Sequence, residues 1–180
     1  MKSWERFKNY KERGEWVELR FMAEAVEQGL KVSKPWGDSA AYDVGIEHEG
    51  RYVRVQVKST TCKTAYGYLC QFKPNPRTKA YSLKELDFFA AFVIPENAWY
   101  VLPAGVLLGV PPKRALTLFP VNPRHPERYG YECYREAWGL FGQEKGELTR
   151  FEEGRVERAR LPMAGPIESR RVNSILGGKP

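Results

Sequence analysis

The chain has 180 residues, 42% hydrophobic and 28% charged, with 29 Lys and Arg against 22 Asp and Glu and a net charge of +7. That length fits one domain with its own core, and that composition excludes wholesale disorder. The longest apolar run, residues 88–94, is too short to span a bilayer, and the N-terminal MKSWERFKNY lacks the apolar core of a signal peptide, which predicts a cytoplasmic protein with no membrane partner. Three cysteines without a CxxC pair, and two distant histidines, argue against a disulfide framework and a Cys/His zinc site.

Residues 1–13 read as a polar, basic lead-in. Residues 15–28 follow as a helix, with Gly14 near its start and Gly29 near its end. Residues 31–33 lead into a Pro-Gly loop. Two alternating runs, 42–47 and 52–58, flank Glu49-Gly50 and predict a hairpin. Residues 66–73 form a further strand, ended by Pro74-Asn75-Pro76. Ser82 caps a short helical turn before a buried strand at 88–94, and Pro95-Glu96-Asn97 turns the chain into an antiparallel neighbour at 99–102. Seven prolines from Pro95 to Pro126 predict mostly loop, with a strand near 116–119. Residues 131–141 read as a final helix with Tyr134, Ala137, Trp138 and Phe141 on one side. After Gln143 the chain turns to Gly, Pro, Arg and Glu, with Phe151 its only aromatic. The expected organisation is a folded domain over 1–142 and a polar tail over 143–180, loosely ordered or in contact with another subunit.

The charge is uneven. Between residues 51 and 84 stand Arg51, Arg54, Lys58, Lys63, Lys73, Arg77, Lys79 and Lys84, with no Asp or Glu, so this window carries +8 and the rest of the chain −1. Tyr52, Tyr66, Tyr68, Phe72 and Tyr81 are interleaved with it. Cations neutralise phosphates and aromatic faces stack on bases, which points to nucleic acid. Arg51, Arg54, Lys63, Lys73, Arg77 and Lys79 are the expected contacts. The plainer account of the same window is a solvated strand face with ordinary sheet aromatics.

With Glu49-Gly50 as a two-residue loop, His48 faces Arg51, Ile46 faces Val53 and Val44 faces Val55. Asp43 then faces Gln56, and Lys58 shares their side of the strand. Directly opposed Cβ atoms lie about 4.5–5.5 Å apart, so an acid, an amide and an amine converge at the open end of the hairpin. On the helix, Arg20, Glu24, Glu27 and Gln28 fall on one outer arc, while Trp16, Leu19, Phe21, Met22, Ala23, Ala25 and Val26 fill most of the rest. Glu18 lies inside that apolar arc. A carboxylate there is costly unless it is paired, hydrogen-bonded or bound to metal. A first-turn acid favoured by the helix dipole, or half of a buried ion pair, is the alternative. Glu18, Asp43, Gln56 and Lys58 within a basic surround suggest metal-dependent phosphodiester cleavage. The hard oxygens of Glu18, Asp43 and Gln56 suit Mg²⁺ as ligands, with Lys58 orienting or activating water.

These residues resemble the PD-(D/E)xK nuclease superfamily, most closely its branch of small group I intron-associated endonucleases and more distantly the Holliday junction resolvases. The stretches that carry the likeness are GEWVELRFMAEAVEQGLKVSKPWGDSAAYDVGIEHEGRYVRVQVKST, YSLKELDFFAAFVIPENAWYVLP and YREAWGLF. Gly14 and Glu18 match the GxxxE of the first helix. Asp43 takes the acidic position, with Tyr42 in place of the eponymous proline, and Gln56-Val57-Lys58 takes the (D/E)xK position. Gln56 departs from the wider superfamily and removes one negative charge, as in the intron-associated branch. The resemblance implies an α/β (α+β) restriction-endonuclease-like core, a mixed sheet flanked by helices. It also implies cleavage of double-stranded DNA, Mg²⁺ for which Mn²⁺ can substitute, and a homodimer or homotetramer. The function expected is a homing-type or related site-specific endonuclease. A non-catalytic DNA-binding module on a nuclease-like scaffold, a resolvase-like enzyme and an RNA-cleaving nuclease are the alternatives.

Overall fold

A computed structural model describes residues 3–7, 9–37, 39–65, 67–73, 80–120 and 130–143. The first long element, α1 (Tyr10–Glu27), begins earlier than predicted. Asn9 explains the start: its backbone is extended and its side-chain oxygen accepts the Glu12 N–H at 2.8 Å. That satisfies one of the donors a helix N-terminus leaves unpaired, so the helix forms ahead of Gly14.

The buried stripe of α1 is Val17, Phe21 and Ala25. Phe21 sits at the centre of an aromatic cluster, 5.3 Å from the Trp99 ring and 5.5 Å from Trp138. The apolar arc is narrower than predicted. Leu19 and Val26 are 61% and 55% exposed. Arg20 and Glu24, expected to face outward, form a half-buried pair at 2.6 Å, with the Arg20 guanidinium 4.9 Å from the Phe92 ring centre. Long side chains that can cover apolar surface with their stems win this flank from the shorter Leu19 and Val26.

Five strands form the main sheet: β1 (Lys31–Ser33), β2 (Val44–His48), β3 (Arg51–Thr60), β5 (Phe88–Val93) and β6 (Ala98–Pro103), in the order β1-β2-β3-β5-β6. The hairpin register is as predicted, with His48 opposite Arg51, Ile46 opposite Val53 and Val44 opposite Val55. Its turn requires left-handed backbone at both loop residues, and Glu49 (φ 50°) and Gly50 (φ 75°) supply it, matching the twist of the flanking strands. β3 and β5 run parallel, so the sheet is mixed, and β5 and β6 are buried along their whole length. One face of the sheet carries Phe92 and Trp99 against Trp16 and Phe21 of α1. The other is packed by a second, two-stranded sheet of β4 (Tyr68–Gln71) and β7 (Ala115–Leu118). Phe72 meets Phe89 at 5.3 Å, and the Thr60 hydroxyl donates to the Leu69 carbonyl at 2.7 Å, joining the two sheets.

Further readings change. Residues 31–33 are a strand, β1, rather than a lead into a loop, because they pair with 45–47. The proline-rich stretch holds a short helix, α2 (Ala104–Leu108), started by Pro103, whose missing N–H costs nothing at a helix start. The final helix does not form: Glu132–Tyr134 and Trp138–Gly142 are separate 3₁₀ turns. Between them Arg135 extends to bridge Tyr100, and Glu136 is left-handed (φ 49°). The Glu136 carboxylate accepts the Trp99 N–H at 2.7 Å and the Trp138 indole N–H at 3.1 Å. Those bonds to the sheet edge replace helical ones, while Tyr134, Trp138 and Phe141 are still buried. The strand expected at 66–73 narrows to β4, and Ser82 heads a turn in which its hydroxyl accepts the Lys84 N–H at 3.2 Å. Residues 144–180 of the expected tail, with Arg77 and Lys79, lie outside the described residues.

Gly67 enters β4 under tight constraint. A Cβ there would lie 2.4 Å from the Leu118 carbonyl oxygen, a backbone atom held in the β4–β7 ladder. Gly67→Ala is therefore expected to cost about 1–3 kcal/mol, typical of overpacking. A urea unfolding midpoint equal to the wild-type value would contradict this.

Candidate active site

β3 outruns β2. The last β2–β3 pair is Val44 with Val55, and β3 continues to Thr60. The β2-side edge of β3 therefore has open backbone groups from Val57 on, which must find partners when buried. Asp43 supplies one. Its N–H still donates to the Val55 carbonyl at 2.9 Å, and its Oδ2 accepts the Val57 N–H at 2.8 Å. The Gln56 side-chain amide donates to the same oxygen. The pairing of Asp43 with Gln56 inferred from the register is thus a direct contact, made where the two strands part.

Gln56 is 7% exposed. Its amide nitrogen is engaged with Asp43, which leaves its Oε1 as a hard donor without a hydrogen bond among the described residues. Lys58 stands two residues on, on the same face, half-buried, its Nζ 5.6 Å from the Tyr81 ring centre. Burial pushes the Asp43 carboxyl up from 3.8 to about 6. The Lys58 charge pulls it down and the Glu18 charge pushes it up further, while the Val57 N–H and Lys34 pull it down. Burial wins, so Asp43 is an acid whose charged form lacks sufficient compensation.

Glu18 reaches this region from the edge of the buried stripe of α1. It is half of an ion pair, though a partly exposed one rather than the buried pair the sequence allowed: Lys34 Nζ donates to its Oε2 at 2.7 Å. That hydrogen bond raises the Lys34 pKa, against the effect of its own burial, and the charges of Glu18 and Asp43 add to the rise. Sequence reasoning missed Lys34. The signal was the strand before it: once Ser33 is paired with Gly45, Lys34 falls level with Val44, beside Asp43.

The site therefore gathers Glu18, Lys34, Asp43, Gln56 and Lys58. Among the described residues no three His, Cys, Asp or Glu side chains gather as a metal site; here the Gln56 amide is bonded to the Asp43 carboxylate, which also feels the charge of Glu18. The donor set fits a hard divalent cation: its groups are hard oxygens, and Lys58 and Lys34 only partly offset the cost of charging half-buried Asp43.

The predicted phosphate contacts divide. Arg54 is committed to Asp87, donating from Nε at 2.9 Å and Nη2 at 3.2 Å, and this hydrogen bond raises its pKa. Arg51 donates to the Gly142 and Gln143 carbonyls and ties the end of the described chain to the hairpin. Lys63 and Lys73 are exposed.

Comparison with known proteins decides the family: the PD-(D/E)XK endonuclease profile matches residues 8–138. The chain belongs to the PD-(D/E)XK endonuclease family. The solved structure of a bacterial homing endonuclease, I-Ssp6803I, is similar at a TM-score of 0.63 and 26% identity, over 81% of this chain and 99% of that one. No curated protein sequence matches the chain. The mixed sheet with its flanking helices is accordingly the restriction-endonuclease-like fold expected, and the protein is an endonuclease, a phosphodiester hydrolase. No helix among the described residues is long and apolar enough to cross a membrane.

Proposed function

We propose that this PD-(D/E)XK endonuclease is a metal-dependent, site-specific enzyme of homing type that cuts double-stranded DNA at the Glu18, Asp43, Gln56 and Lys58 cluster. The observation that carries this reading is the half-buried Asp43 carboxylate, held by Gln56 and the Val57 N–H at the split between β2 and β3. Its likeness to a homing endonuclease supports the substrate and the specificity. Asp43, Glu18 and the Gln56 amide oxygen would hold Mg²⁺, or Mn²⁺ in its place. When bound, that ion would polarise the phosphoryl group and lower the pKa of water.

The chain supplies the rest. Lys58 orients the attacking water and offsets negative charge as it builds on the phosphate oxygens, a preorganised electrostatic role. Tyr81 restrains the Lys58 side chain. Gln56 and the Val57 N–H fix the Asp43 carboxylate, so little reorganisation is needed. Lys34 balances Glu18. Exposed Lys63 and Lys73 grip backbone phosphates, whereas Arg51 and Arg54 hold the scaffold. Residues 1–142 make up the nuclease unit, and the polar segment 143–180 serves a homodimer or homotetramer, the assembly a symmetric DNA site would demand.

The competing reading is a DNA-binding module that needs no metal. Thermal unfolding with DNA present separates the two. Millimolar Mg²⁺ or Mn²⁺ is expected to raise the wild-type midpoint in a concentration-dependent way, reversed by EDTA, because a ligand of the folded state stabilises it by mass action. No shift at any millimolar concentration would favour the module.

A further inference from the structure

A cavity adjoins the site at Tyr81. It has a volume of about 520 Å³, within the range of small-ligand pockets. Phe72, Tyr81, Leu108 and Pro112 give it apolar walls, and Lys73, Lys113 and Arg114 rim it. Among the described residues no Asp or Glu lines it. Tyr81 belongs to both places: its ring takes Lys58 on one face and its side chain walls the cavity. The rim is anchored by backbone bonds, from the Phe72 N–H to the Arg114 carbonyl at 2.9 Å and from the Lys113 N–H to the Leu107 carbonyl at 2.8 Å.

From this we infer that the cavity is a nucleotide pocket, receiving one unpaired base of the DNA strand next to the bond that is cut. The inference rests on the endonuclease reading above and adds to it a binding subsite. The cavity's chemistry matches a nucleotide in two parts. The apolar lining, with the half-buried Tyr81 as its accessible aromatic, suits a base, whose stacking on an aromatic side chain is tolerant of sequence. Three cations with no opposing carboxylate suit the phosphates on either side. A stacked duplex offers only its phosphates to such a rim and leaves the apolar interior unfilled. An unpaired base fills it, and Tyr81 then couples the occupied pocket to Lys58.

The test measures binding of two single strands of equal length and charge, a short thymidine oligonucleotide and its abasic counterpart, in EDTA. The wild-type protein is expected to prefer the strand with bases by about fivefold or more. Ala80→Trp, which fills the cavity from its exposed rim, is expected to abolish that preference. Lys113→Glu combined with Arg114→Glu, both at exposed positions, is expected to weaken both strands and lower the salt-dependence slope by about 1–1.5. Equal affinity of the wild type for the two strands, a preference unchanged in Ala80→Trp, or an unchanged slope in the double variant would overturn the pocket. Metal-dependent cutting of a randomised duplex library by the wild type reports separately on the endonuclease reading. Cutting without base preference removes the pocket alone, while base preference without cutting leaves a base-binding cavity and overturns its place beside a cut bond.

Discussion

Lys58→Ala is expected to lower metal-dependent cleavage at least a hundredfold to a thousandfold while leaving the fold intact. The magnitude is that of losing one preorganised charge stabiliser in a site partly shielded from water, about 2.7–4 kcal/mol. Lys58 is half-buried and rests against Tyr81, but among the described residues no core group depends on it for a hydrogen bond. Asp43→Ala is expected to remove cleavage to the same extent or more, with a cost in stability, because it also leaves the Val57 N–H without its acceptor. The check is initial cleavage rate at saturating Mg²⁺, with circular dichroism confirming the fold. Rates within a few-fold of wild type for both variants would rule out the assigned roles.

Asp43→Asn should make the protein more stable at neutral pH, and inactive. The Asp43 carboxyl is raised from 3.8 to about 6, chiefly by burial. Between those values the unfolded chain binds fewer protons at this group than the folded one, so stability falls as pH rises through the interval. Above about pH 6 the full cost is present, roughly 2–3 kcal/mol without metal. Below about pH 4 Asp43 is protonated in both states and the cost vanishes. Asparagine keeps an oxygen for the Val57 N–H and has no charge to bury. Its melting midpoint in EDTA at pH 8 is expected to exceed wild type by on the order of 5 °C. The difference should shrink toward zero near pH 4, and Mg²⁺ should narrow it at pH 8 by stabilising only the wild type. An asparagine variant less stable than wild type at pH 8 would show that Asp43 is held as a structural acid. Such a stability cost at one carboxylate is what a site kept for function looks like.

Much of this site was legible because its parts are local. Glu49-Gly50 selects a two-residue turn, the turn sets the register, and the register places Asp43 against Gln56 with Lys58 one step further along the same face. Glu18 was legible because a carboxylate inside an apolar helical arc demands a partner. That the partner is Lys34 was not, since it depends on three residues of β1 pairing with β2, too short a run to carry its own pattern. Arg54 looked like a phosphate contact in a window without acids. Asp87, just beyond that window, folds back to pair with it through the parallel alignment of β3 and β5, and no local pattern announces parallel pairing. The final segment misled for the opposite reason. Tyr134, Trp138 and Phe141 do face inward at helical spacing, but two 3₁₀ turns bury them equally well. Glu136 then gains bonds to Trp99 and Trp138 that a continuous helix would forgo. The α1 boundary followed a single cap, Asn9, inside a stretch whose polarity resembled a lead-in.

The claim that these five side chains form a cutting centre is tested most directly by one experiment. A randomised duplex DNA library is incubated with the wild-type protein in Mg²⁺ and the new ends are sequenced, alongside the same protein in EDTA and Lys58→Ala in Mg²⁺. The predicted result is a recurrent cut position that appears only with wild type and Mg²⁺. New ends as frequent with Lys58→Ala or with EDTA, or none in any condition, would contradict it.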